Sequence, residues 1–94
     1  MEKAEVLRGV ANSEYTFIFV DELGSIRDAV HLNRMPTAED MLEFKAQHHN
    51  QICRCFVKAT LTETDLDRLV AEMAADFKWA RGHNLRPGTN FRKV

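Results

Sequence analysis

The residues best suited to chemistry lie at the end of the chain. Arg81-Gly82-His83-Asn84-Leu85-Arg86-Pro87-Gly88-Thr89-Asn90-Phe91-Arg92-Lys93 mixes guanidinium, amide, hydroxyl and aromatic groups. Arginine presents a planar fork that grips phosphate at two points, and Phe91 or the preceding Trp79 can stack on a base. Pro87-Gly88 suits the centre of a type II turn, which would fold the segment back, and Gly88-Thr89-Asn90 could lend backbone N–H donors. The Lys and the glycine spacing of a Walker loop are missing. These residue types lead to an expected site of Trp79, Arg81, Arg86, Thr89, Asn90, Phe91 and Arg92 around a phosphate-bearing ligand. The plainer alternative is a partly ordered tail, because order is often lost at termini.

Charge placement singles out the same segment. The chain of 94 residues has a formal net charge of −1, which excludes a bulk basic nucleic-acid binder and an acidic tail protein. Residues 1–80 carry −5 and residues 81–94 carry +4 with no acid among them. Such asymmetry suggests work with an anion. The tail could equally answer the acids of its own body or of a second subunit.

His48, His49, Cys53 and Cys55 are the other cluster of ligand-forming types. On a helix His49 and Cys53 could share a metal, but Cys55 would point elsewhere, about 200° further round. On a strand the two cysteines share a face and the histidines need a separate turn to join them. Neither geometry assembles three or four ligands, no Cys-x-x-Cys occurs, and buried structural cysteines are the expectation. A Cys53–His49 nucleophile pair has no marked orienting acid. Glu39, Glu43, Glu63, Asp67 and Glu72 decorate the polar sides of helices, as solvated carboxylates usually do. No catalytic residue, cofactor or metal is expected.

The elements that must position these residues are partly legible. Tyr15–Val20 is dense in β-branched and aromatic residues and predicts a strand, with Tyr15, Phe17 and Phe19 on one face. Asp21-Glu22-Leu23-Gly24-Ser25 supplies a turn, and Ile26–Leu32 returns as a second strand with Ile26, Val30 and Leu32 on its buried face. Ala4–Val10 is ambiguous. Alternation and the helix cost of Gly9, about 1 kcal/mol, favour a third strand narrowly over a helix. Thr37 with Asp40, and Thr62 with Asp65, predict capped helix starts, the second with Leu61 stapled onto Leu66. From there Leu66, Leu69, Val70, Met73, Phe77 and Ala80 keep a helical period up to the caps offered by Gly82 and Asn84 and the stop at Pro87.

Residues 51–60 decide the layout. They are strand-like in type, yet the register of Leu42, Ala46, His49, Ile52 and Phe56 runs without slip, and no Gly or Pro occurs between Pro36 and Gly82. The unbroken register favours one long helix over a helix followed by a strand. The predicted class is α+β. A small antiparallel sheet, hairpin or three-stranded meander, packs against an antiparallel two-helix hairpin in a single domain over residues 1–82, followed by a basic tail over 83–94.

On the long-helix alternative Phe44, His48, Gln51 and Cys55 form a second stripe. Trp79 also sits off the core stripe of its helix, beside Arg68, Glu72 and Ala75. Both point to a covering partner, a second copy above all, although Trp79 could instead fold under the tail against Phe91. Two function classes follow. The first is a non-catalytic, self-associating binding module that holds a nucleotide or nucleic-acid strand through the C-terminal segment. The second is a protein-binding regulator or inhibitor acting through Trp79, Phe44 and the tail, with a metal-dependent enzyme as a minor third. No apolar run approaches the roughly 20 residues of a membrane span, and the N-terminus lacks signal-peptide layout. A cytoplasmic protein with reduced thiols and no membrane partner is expected.

Overall fold

The computed structural model describes residues 1–58, 60–82 and 91–93. Elements follow in the order α1 (Lys3–Ala11), β1 (Tyr15–Val20), β2 (Ile26–Leu32), α2 (Ala38–Gln47), β3 (Ile52–Val57), α3 (Glu63–Gly82) and β4 (Phe91–Lys93). The fold is α+β. Three antiparallel strands lie in the order β2-β1-β3, and the short β4 runs parallel outside β3.

The hairpin forms where local chemistry demands it. Asp21 Oδ1 accepts from the N–H groups of Leu23 and Ser25, each at 3.0 Å, and Gly24 takes φ +80°, a left-handed conformation that only glycine adopts cheaply. Both helix starts close as reciprocal boxes. Asp40 N donates to Thr37 Oγ1 at 3.2 Å and Thr37 N to Asp40 Oδ2 at 2.8 Å, while both Thr62–Asp65 bonds measure 3.1 Å. Leu61 is partly buried against the core cluster to which Leu66 belongs.

Two predicted elements differ. Ala4–Val10 lies in a helix, not a third strand. Val6 and Val10, four apart, bury one face of α1 against α3 and the sheet, and this packing outweighs the cost of Gly9. The long helix does not form either. α2 ends at Gln47, His48 caps it through its N–H to Phe44 O at 2.9 Å, and β3 follows at Ile52. Both faces of β3 are covered, with Ile52 and Phe56 buried on one and Cys53 and Cys55 on the other, so the apolar run shows no strand alternation. Its helical register is accidental.

The sheet is therefore covered on both sides. Ile18, Val20, Ile52 and Phe56 pack with Val6 and Val10 of α1 and with Leu66, Leu69, Met73 and Phe77 of α3. On the opposite face Phe17, Phe19, Cys53 and Cys55 pack with Phe44 of α2. The two helices sharing a face are thus α1 and α3, while α2 stands alone. A bulge splits β2: Val20 pairs with Ile26 and Phe19 with Asp28, leaving Arg27 as the extra residue. Ile26 consequently joins the α1/α3 side, while Val30 and Leu32 face α2, which corrects their expected common face.

Candidate functional site

The C-terminal cations begin to be placed by β4. Phe91 lies opposite Cys53, Arg92 opposite Arg54 and Lys93 opposite Cys55. A parallel β3–β4 pair needs a crossover, and α3 is that connection. Its C-terminal end, with Trp79 and Arg81, thereby returns to the end of the sheet where β3 and β4 both begin. Trp79 is 54% exposed on α3. Arg86, Thr89 and Asn90 lie outside the described residues, as do the Pro87-Gly88 turn and the Asn84 cap. For Arg81, Phe91 and Arg92 the description reaches the backbone.

Next to that strand stands a buried cation that the sequence argument passed over. Arg54 is 9% exposed and faces α3 from the middle of β3. Its Nη1 donates to Glu72 Oε2 at 2.8 Å, and its Nη2 lies 3.6 Å from Asp76 Oδ2. Glu72 and Asp76 are one helical turn apart, so one face of α3 presents both carboxylates to the sheet. Glu72 is therefore not a merely solvated acid. The available signal was an Arg inside an apolar strand followed by acids at i and i+4 on a helix.

The stripe expected to need a second subunit is covered by the chain itself. Phe44 is 6% exposed, with ring centroids 4.8 Å from Phe17 and 5.6 Å from Phe19. It is a core residue rather than a surface anchor, and Leu42, expected inside, is exposed. His48 stacks on Phe19 at 3.8 Å, bonds Gln51 Oε1 through Nδ1 at 3.1 Å, and brings Nε2 within 3.2 Å of Asp28 Oδ2 without hydrogen-bond alignment.

Cys53 and Cys55 are buried, unbridged, and face α2. Burial, reinforced by neighbouring Cys55, pushes the Cys53 thiol far above its ordinary value, which suits an inert packing residue rather than a nucleophile. Among the described residues no three His, Cys, Asp or Glu side chains converge as a metal centre.

A third constellation joins α1 to the sheet. Ser13 Oγ donates to Gly9 O at 2.7 Å, Ser13 Oγ and Thr16 Oγ1 are 3.0 Å apart, and Thr16 Oγ1 lies 3.0 Å from His31 Nδ1. Burial holds the His31 imidazole below its ordinary value, against the opposing pull of Asp28. A cleft of ≈ 230 Å³ beside the ring is lined by Met1, Glu5, Val6, Ala29 and His31. Nothing in the sequence marked this group, because its members come from α1, the following turn and two strands.

Among the described residues no helix is long and apolar enough to cross a membrane. No family model, curated protein or solved structure matches the chain.

Proposed function

We propose that the protein is a non-catalytic binding module that holds a phosphate-bearing ligand, a nucleotide or a nucleic-acid strand, through its C-terminal basic-aromatic segment. The observation that carries this is the parallel pairing of Phe91–Lys93 with β3. It ties the cationic segment to the sheet edge, at the end to which α3 returns Trp79. Cations fixed by a backbone ladder lose less entropy on binding than cations on a free tail. Self-association belongs to the same proposal. Its support is the exposed Trp79, since the Phe44 stripe is covered internally.

One observation favours a second class. Two carboxylates, Glu72 and Asp76, face Arg54, and Arg92 sits in register beside it. The tail cations can therefore answer the acids of α3, leaving Trp79 as an anchor for a protein partner.

Fluorescence of Trp79, the one tryptophan in the sequence, discriminates the two. Titration with mononucleotides and short oligonucleotides should perturb it. Arg86→Ala and Arg92→Ala should each weaken binding by about 1.5–3 kcal/mol, the range of charge-assisted hydrogen bonds. Lys in place of either Arg should not restore it, because Lys lacks the bidentate fork. Absence of binding by every member of the panel would remove the proposal and leave the protein-partner class.

A further inference from the structure

The hydroxyl chain that ends on His31 runs in one consistent direction. The Gly9 carbonyl can only accept, so it takes the single proton of the Ser13 hydroxyl. Ser13 Oγ then accepts, and the proton between Ser13 and Thr16 comes from Thr16. Thr16 Oγ1 in turn accepts, so His31 carries its proton on Nδ1. Burial favours the neutral ring. Nε2 is therefore a bare acceptor, and among the described residues no hydrogen bond is made to it.

Gly9 and β1 decide where that acceptor is directed. A Cβ built on Gly9 would meet Nε2, Cδ2 and Cε1 of His31 at almost equal distances, deep inside contact. A point so placed stands over the face of the ring, not in its plane. The imidazole lies flat on Gly9, and the in-plane Nε2 lone pair passes the helix by. Nδ1 is directed at Thr16 on β1, so Nε2 looks away from β1. β2 is the outer strand there, and beside it lies the cleft of ≈ 230 Å³ that His31 lines with Met1, Glu5, Val6 and Ala29.

The side chains of that lining offer acceptors and apolar surface. Nε2 of neutral His31 and the carboxylate of Glu5 both accept, and Met1, Val6 and Ala29 are apolar. The N–H of Ala29 is already taken by Asp28 Oδ1 at 2.8 Å. An apolar body that brings its own hydrogen-bond donor matches such walls, whereas an anion finds a carboxylate and a bare lone pair facing it. An apolar cavity of about 150 Å³ is enough to hold benzene, so this cleft has room for one ring and a substituent.

We propose that the cleft binds one small neutral molecule, an apolar ring bearing an O–H or N–H donor, with the donor on His31 Nε2 and the ring against Val6 and Ala29. Thr16 and Ser13 are positioning residues, because their hydroxyls hold the tautomer that leaves Nε2 as acceptor. The ligand chemistry is opposite to that expected of the C-terminal segment, which suits an anion.

NMR titration of the full chain with phenol, and with fluorobenzene as a ring of nearly the same shape that lacks a donor, tests this. Long-range ¹H–¹⁵N spectra should place the His31 proton on Nδ1 in the free protein. Phenol should shift signals of Val6, Ala29 and His31, move the Nε2 resonance, and bind about fivefold more tightly than fluorobenzene, as one net hydrogen bond provides. His31→Phe keeps a ring on Gly9 but removes the acceptor, so it should bring the two affinities together. Thr16→Val leaves His31 in place but releases its tautomer, and should shrink the preference for phenol. The preference is a ratio read within one protein, so a less stable variant does not imitate its loss, and the native-protein measurements need no variant. A proton on Nε2 in the free protein, equal affinity for the two rings, or phenol shifts absent or centred elsewhere would overturn the assignment.

Discussion

Arg54 donates to Glu72 at 2.8 Å from a strand whose other residues on that face, Ile52 and Phe56, are apolar core. The bond crosses from β3 to α3 and fixes the helix over the part of the sheet that β4 adjoins. A guanidinium with an 11% exposed side chain cannot be left unpaired cheaply, whereas Glu72, with a 56% exposed side chain, keeps much of its hydration.

Arg54→Ala should therefore cost about 2–3 kcal/mol, below the usual penalty for breaking a fully buried pair. Arg54→Met fills the space with an unbranched apolar chain and should cost less than Arg54→Ala. Urea denaturation of the three proteins measures both differences. Equal losses for Ala and Met would show that charge, not volume, matters at this position.

Gly9→Ala ought to stabilise an ordinary helix by about 1 kcal/mol. Here the added methyl meets the His31 ring, so the variant should instead lose about 2 kcal/mol through overpacking. His31→Ala removes the obstacle, and Gly9→Ala should become neutral or favourable in that background. A double-mutant cycle of thermal melts reports the coupling, and additive effects would contradict the stacked geometry.

Thr37→Ala and Thr62→Ala should each cost about 1 kcal/mol by removing an N-cap. The capping acids add a pH dependence. Asp40 is held below the ordinary carboxylate value first by Arg34 and then by Thr37, and Asp65 by the N–H and hydroxyl of Thr62. Their stabilisation is complete above the unfolded value near 3.9 and is lost as pH falls through the lower folded values. The stability difference between wild type and Asp40→Asn/Asp65→Asn should thus be flat above about pH 5 and shrink toward acid. A difference that grows below pH 4 would contradict the direction of both shifts.

Cys53→Ser places a hydroxyl at a 1% exposed position facing Phe19. It should cost about 1–3 kcal/mol, more than Cys53→Ala would if the hydroxyl finds no partner. In native protein the thiol should resist alkylation at pH 8 and react only at the rate of unfolding. Rapid native-state labelling of Cys53 would contradict its burial.

Trp79→Ala should shift sedimentation at micromolar concentration toward the 10.8 kDa species if Trp79 lies at the contact between copies. Unchanged sedimentation of a self-associated protein would place the contact elsewhere, and a monomeric wild type would leave Trp79 to the ligand.

What the sequence determined by itself is what neighbours along the chain decide. Thr37 and Thr62 cap because Asp40 and Asp65 follow three residues later. The hairpin turns because Asp21 and Gly24 satisfy its geometry, and α3 shows its period because one face alone is buried. Tertiary structure decided the rest. Ile52–Val57 has partners on both edges and buried residues on both faces, which erases strand alternation and leaves a false helical register. Helix α1 tolerates Gly9 because a ring from β2 occupies the place of a side chain. One bulge residue, Arg27, moved Ile26 to the opposite face from Val30, and the aromatic face of β1 selected Phe44 over Leu42. Gly9, Thr16 and His31 meet from positions 7 and 15 residues apart in succession along the chain. Their meeting depends on helix docking and strand pairing, long-range events that leave no local pattern.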